Sequence, residues 1–251
     1  MINKIRVDKT TIYFSVNSNK NYSFVLISNG KEVYKTNFYC NTDNEYFISH
    51  PSIVNDKTKL IVDQTQKIKL QPKIHHIIPW KTETNKIGDF LNQTFELIDD
   101  EDWICFLDGD AMHTTTWFGK RIEDTINKNL DFSMFSCLTN RTTPTCQIAL
   151  GSDWEDNDIS NHRKLGELLW ETNQTKVTDV TEISPVSGYF FLVKKQTWKD
   201  VGGFNNLKML GIEWDFCEKV KKINGKIGVM NGIYVYHWYR GGDKFNNTHL
   251  K

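Results

Sequence analysis

The stretch Asp102-Trp103-Ile104-Cys105-Phe106-Leu107-Asp108-Gly109-Asp110 constrains the fold of this chain more than any other. Trp103 to Leu107 is an unbroken apolar run with aromatic members, the pattern of a strand buried on both faces of an α/β sheet. Two carboxylates stand where the run ends, and in open α/β sheets ligands bind at the carboxyl ends of strands. Gly109 is expected to let the backbone turn sharply and bring Asp108 and Asp110 to one point. Two hard oxygen ligands beside an open position suit Mg²⁺ or Mn²⁺ carrying a diphosphate. The same residues also read as an Asp-Gly hairpin turn. A calcium loop of the EF-hand kind is excluded, because Ala111, Met112 and Thr114 follow where it would need further ligands and a closing Glu.

A chain of 251 residues has room for one domain of moderate size and a smaller one. Lys+Arg and Asp+Glu balance at 31 each, so no global field favours nucleic acid or an anionic membrane. No stretch approaches the ~20 apolar residues of a membrane span, and Met1 to Arg6 has no apolar core of signal-peptide length. The five cysteines, at 40, 105, 137, 146 and 217, form no C-x-x-C pair. Cys105, Cys137 and Cys217 sit in apolar contexts, where a free thiol behaves as a small hydrophobe. A cytoplasmic location is expected.

Residues 1–72 read as a small all-β, sandwich-like domain. Thr11 to Val16 and Tyr22 to Ile27 are rich in β-branched and aromatic residues, Ser28-Asn29-Gly30-Lys31 is a hairpin turn, and short strands follow at 32–35, 45–48, 60–62 and 68–70. Exposed aromatics such as Tyr39 and Tyr46 read either as core or as platforms for sugar rings. After Gln71-Pro72 the pattern becomes α/β, over 73–251. Ile74 to Ile78 is a strand stopped by Pro79. Thr84 or Asn85 then caps a helix reaching Ile98, and a second helix from about Thr116 places Phe118, Ile122 and Ile126 on one face. Strands are expected at 132–138, 188–193, 227–230 and 233–236, with helices near 162–171, 196–201 and 213–223. The polar segment from Thr142 to Ser184 is expected to face an acceptor.

These pieces resemble a nucleotide-sugar glycosyltransferase of the A-type fold, similar to glycosyltransferase family 2, over roughly residues 73 to 242. Phe106-Leu107-Asp108-Gly109-Asp110 resembles the family's D-x-D metal motif. The run from Ser187 through Lys194 to Gly202-Gly203-Phe204 resembles its strand-helix-GGF block. Gly211-Ile212-Glu213-Trp214-Asp215-Phe216 resembles the block that carries the general base, and Tyr236-His237-Trp238 stands where the family often has a metal-binding histidine. The resemblance implies a Rossmann-like domain with a mainly parallel sheet, in compact form, because the strand that commonly brings an acidic residue to the nucleotide base is missing. The usual Glu-Asp pair reads Ile212-Glu213 here, so the base would be a glutamate, which can accept a hydroxyl proton as an aspartate does.

The roles implied are specific. Asp108, Asp110 and His237 would hold Mn²⁺ or Mg²⁺. Glu213 would be the base, with Asp215 next in line, although Asp215 also fits a helix-capping acid. Pro79, Trp80, Lys86, Gly88 and Asn92 would bind the donor together with Asp108, Gly109, Asn140 and Arg141. Ser187, Gly188 and Trp214 would lie on the acceptor side. The expected activity is inverting transfer from a nucleotide-sugar, UDP-sugar by default, to a glycan, glycolipid or other hydroxyl acceptor that could hold the protein at a membrane periphery. Rival readings are a nucleotidyltransferase, for which Pro79-Trp80-Lys81-Thr82 lacks the glycine-rich loop, and an inactive glycan-binding protein.

Overall fold

The computed structural model describes residues 2–8, 10–42, 44–54, 58–63, 66–69, 73–79, 87–183, 185–206 and 211–239. The chain divides into two compact units, Met1–Lys73 and Ile74–Lys251.

Among the described residues the first unit holds seven strands, β1 (Ile2–Asp8), β2 (Thr11–Val16), β3 (Lys20–Ser28), β4 (Lys31–Cys40), β5 (Tyr46–Ser49), β6 (Thr58–Val62) and β7 (Gln66–Lys69). They form two antiparallel sheets, ordered β1-β2-β5 and β4-β3-β6-β7. Asn29 and Gly30 both take left-handed conformations, φ 51° and 76°, in the two-residue turn that joins β3 to β4. Period-2 alternation turns Ile12, Phe14 and Val16 inward against Tyr22, Phe24 and Leu26. The Phe14 and Phe24 rings lie 4.9 Å apart. Tyr46 packs on Phe14 and Phe38 as core, whereas Tyr39 is exposed. Strand β1 escapes sequence reading because Ile5 and Val7 alternate with charges and make no apolar run.

The second unit is a mixed α/β structure. Its elements are β8 (Ile74–Ile77), α1 (Ile87–Glu96), β9 (Trp103–Leu107), β10 (Ala111–His113), α2 (Phe118–Lys128), β11 (Phe132–Thr139), α3 (Ile159–Asn173), β12 (Val177–Asp179), β13 (Phe190–Lys194), α4 (Lys195–Asp200), α5 (Ile212–Lys222) and β14 (Lys226–His237). One sheet runs β10-β14-β11-β13-β9-β8, with β12 also paired to β14. The expectation of a mainly parallel sheet is corrected. Only β8–β9 and β11–β14 are parallel, and the other four pairings are antiparallel. Two of these come from β13, which returns from the long excursion after β11 and runs backwards between β9 and β11, and two from the short strands β10 and β12, both antiparallel to β14.

Strands β8, β9, β11 and β14 nevertheless share one direction, so their carboxyl ends lie on one edge. Pro79, Asp108, Asn140 and the terminal His237 stand at that edge. Both sheet faces are covered, which explains the unbroken apolar run of β9. Ile104 and Phe106 join Leu91, Phe95, Phe204 and Phe216 on one side, while Trp103 and Cys105 join Ile122 and Ile126 on the other. Each such large side chain contributes roughly 1.5–3 kcal/mol through burial. Strand β14 is one strand where two were expected. The interruption is a bulge: the register with β11 slips between Cys137 and Leu138, opposite Asn231-Gly232-Ile233. All five cysteines are free thiols. No helix among the described residues is long and apolar enough to cross a membrane.

Candidate functional site

Asp108 leaves the end of β9 with its backbone N–H donating to the Tyr189 carbonyl, at 3.0 Å. Ala111 N–H then closes back on the Asp108 carbonyl, also 3.0 Å. The Asp-Gly-Asp turn is not a hairpin, because the next strand, β10, pairs with β14 and not with β9. That pairing sets Ala111 directly opposite His237, and Trp238 N–H donates to the Asp110 carbonyl at 2.9 Å. Two residues 127 positions apart, by subtraction of 110 from 237, thus reach one point. Gly109 is not held in a left-handed conformation, and a Cβ there would meet only Ile78 Cγ2 at an ordinary 3.8 Å. Asp108 and Asp110 are brought together as expected, although the turn does not demand glycine to do it.

One ligand atom each from Asp108, Asp110 and His237 can be chosen so that all lie within 4.8 Å of one another. Asp110 is exposed, Asp108 partly buried and His237 buried. His237 Nδ1 lies 2.9 Å from the Arg141 carbonyl oxygen, which can only accept, so Nδ1 carries the proton. Nε2 is then directed at Asp110 Oδ1, 3.3 Å away. The positive charge that joins this nitrogen to the carboxylate oxygen is either a proton on Nε2 or a bound cation. The donor set fits a cation: two carboxylates and an imidazole nitrogen, the ring's other nitrogen tied to a carbonyl, suit Mn²⁺ or Mg²⁺.

Electrostatics point the same way. The Asp108 carboxyl is pushed up to about 7, first by burial and then by the charges of Asp110 and Glu213, while His237 pulls it down. Glu213 is thus close enough for Asp108 to feel its charge. It sits in the first turn of α5, and its carboxyl carbon lies 3.5 Å from where a Gly188 Cβ would be. Burial raises its proton affinity too. Gly188 precedes Tyr189, whose ring stacks on His237 at 5.1 Å between centroids. The segment entering β13 therefore joins the carboxylate group to Glu213.

The other expected site residues divide into three groups. Trp80 and Lys86 lie outside the described residues, as do the helix caps expected at Thr84 or Asn85, and Pro79 follows β8 at the same sheet edge. Ser187 and Gly188 are at the site, Ser187 N–H donating to Gln147 Oε1 at 2.7 Å, and Trp214 is half exposed beside Glu213. Asp215 pairs with Lys219 at 3.2 Å, one helical turn on, as befits a helix-start acid.

The remaining four have structural duties that sequence reading did not anticipate. Gly88 is buried where a Cβ would come 2.3 Å from the Asn205 carbonyl oxygen. Asn92 Oδ1 accepts from Trp198 Nε1 and Phe204 N, both 2.8 Å, and Nδ2 donates to the Phe204 carbonyl. It latches α1 to the Gly-Gly-Phe turn. Asn140 Oδ1 accepts from His237 N–H at 2.9 Å. The Arg141 guanidinium turns inward and is fully buried. Gln147 was missed: it is wholly buried, bonds Ser136, Ser187 and Tyr189, and no local pattern in Thr145-Cys146-Gln147 marks it.

No protein-family model matches this chain, and no curated protein matches it.

Proposed function

We propose that this chain is a metal-dependent glycosyltransferase of the A-type, Rossmann-like class, resembling family 2. It would move a sugar from a nucleotide-sugar, UDP-sugar first, to a hydroxyl of a glycan or glycolipid. The observation that carries this reading is the grouping of Asp108, Asp110 and His237 at one sheet edge with Glu213 within electrostatic reach. An acidic turn needed only for solubility would not place a tautomer-fixed imidazole against its carboxylate. Trp238, half exposed beside His237, and Trp214 beside Glu213 offer apolar faces of the kind sugars stack on.

Asp108, Asp110 and His237 Nε2 would hold Mn²⁺ or Mg²⁺, which when bound supplies a Lewis acid to neutralise charge on the leaving diphosphate. The work of this chain's own residues follows from their surroundings. Glu213 takes the proton of the acceptor hydroxyl as its oxygen attacks the anomeric carbon. The bond from that carbon to the diphosphate oxygen breaks in the same displacement, so the anomeric configuration inverts. Partial burial raises the proton affinity of Glu213, which brings a carboxylate nearer to the strength a general base needs. The Arg141 carbonyl keeps His237 in the tautomer that offers Nε2.

The test is a turnover screen over UDP-, GDP-, CMP- and dTDP-sugars with Mn²⁺, using wild type and Glu213→Gln. Wild type is expected to turn over at least one donor. Glu213→Gln keeps size and hydrogen bonding, and its transfer rate is expected to fall by ~10²–10⁴-fold with donor affinity nearly unchanged. Transfer by Glu213→Gln at the wild-type rate would place the base elsewhere, Asp215 being next in line.

A further inference from the structure

Arg141 is among the largest side chains in the molecule to be completely buried, and among the described residues no carboxylate lies within ion-pair distance of it. Burying a guanidinium without such a partner is strongly unfavourable unless its donors are met. They are met almost wholly by one segment. Nε donates to the Trp154 carbonyl, Nη2 to the Asp156 carbonyl at 3.3 Å and to Asn157 Oδ1 at 2.8 Å. Nη1 faces the Tyr236 hydroxyl at 3.4 Å, and that hydroxyl donates in turn to Asn157 Oδ1 at 3.0 Å. The Arg141 carbonyl accepts from His237 Nδ1.

A second path closes the ring. His237 packs edge-on against Tyr239 at 5.2 Å, and Tyr239 meets Trp154 edge-on at 5.6 Å. His162, fully buried on α3, donates through Nε2 to the Asp156 carbonyl at 2.9 Å and accepts from the Tyr234 hydroxyl at 2.8 Å. The segment 154–157 is thus fastened to β14 on both sides of the strand end that bears His237.

We propose that Arg141 is the positioning residue of the candidate metal centre, coupling the order of segment 154–157 to cation affinity. This rests on the metal reading given above. The carbonyl of Arg141 sets the His237 ring, and its guanidinium fixes that carbonyl by anchoring in the segment. Because coupling is reciprocal, a bound cation must steady the segment as much as the segment steadies the ligand.

The experiment uses the full chain, with Mn²⁺ titrated by electron paramagnetic resonance and amide exchange followed over 153–158 with and without saturating Mn²⁺. Wild type is expected to bind Mn²⁺ saturably and to slow exchange in that segment when it does. Arg141→Met should weaken Mn²⁺ affinity by ~10–100-fold, the usual range for outer-shell partners of metal ligands, and speed exchange even without metal. Arg141→Lys, able to reach one acceptor but not all, should restore part of the affinity. Should Arg141→Met fail to give a cooperative melt, Asn157→Ala carries the test at an exposed position and is expected to weaken Mn²⁺ binding several-fold. Unchanged Mn²⁺ affinity in the folded variants, or exchange indifferent to Mn²⁺, would overturn the coupling alone. A wild-type chain that binds no Mn²⁺ would overturn the metal reading beneath it.

Discussion

Asp108 carries a carboxyl group that its surroundings make reluctant to ionise, since burial and the nearby Asp110 and Glu213 hold it up to about 7. Its folded-state value lies above the ordinary carboxylate range, so the folded chain keeps a proton there that the unfolded chain has lost. The stability Asp108 contributes is full below pH ~4 and falls away as pH rises to about 7. Glu213 shifts in the same sense, while burial pushes His113 down to about 4 and works in the opposite one. The informative quantity is therefore a difference. In EDTA, the stability of wild type relative to Asp108→Asn is expected to decline from pH 4 towards 7 and then level off. Urea melts of both proteins across that window check it, and a flat difference would show that the carboxyl is not shifted. Added Mn²⁺ should displace the proton and bind more tightly as pH climbs through the same window.

Residues of this kind were partly legible in the sequence. Two carboxylates after an apolar run announce themselves, and a histidine beside them in the fold can be guessed from a motif. The inward turn of Arg141 cannot, because a guanidinium beside a site reads as a phosphate ligand until its acceptors, three of them in residues 154–157, are known. The latch made by Asn92 was hidden for the same reason. Its partners Trp198 and Phe204 lie more than a hundred positions away.

Among the elements, the long periodic ones and the double-sided strand were legible because their burial repeats locally. Helices α1, α2, α3 and α5 and strands β9 and β11 fall close to where periodicity puts them. Strand β10 has only three residues and earns its place by pairing with β14, so nothing local foretells it. The bulge in β14 was read as a gap between strands. Its Gly232 is required by contact: a Cβ there would come 2.1 Å from the Gln174 carbonyl oxygen. Relief means moving backbone at the end of α3 or in β14, the strand that carries His237. Gly232→Ala is expected to destabilise the second unit by about 1–3 kcal/mol. Chemical denaturation of the pair measures it, and a loss under ~0.5 kcal/mol, the range of an ordinary surface change, would mean that the bulge adapts freely.

At the scale of the whole molecule, the chain holds two units with separate hydrophobic cores. Every residue proposed for metal and base lies in the second, Ile74–Lys251. A protein beginning at Ile74 is expected to fold and to bind Mn²⁺ with wild-type affinity. A folded truncation that has lost Mn²⁺ binding would assign the first unit a part in the site. The change from alternating short strands to α/β patterning was visible in the sequence. The sense of the sheet was not, since the direction of β13 depends on where a long polar excursion returns.

The central claim is that Asp108, Asp110 and His237 form a cation site that receives a nucleoside diphosphate, with Glu213 acting only on the acceptor. Calorimetric titration of UDP into the protein, with and without Mn²⁺, tests it most directly. The prediction is saturable UDP binding that needs Mn²⁺, is lost in Asp110→Asn and survives in Glu213→Gln. UDP binding of equal strength in EDTA, or unaltered by Asp110→Asn, would contradict it.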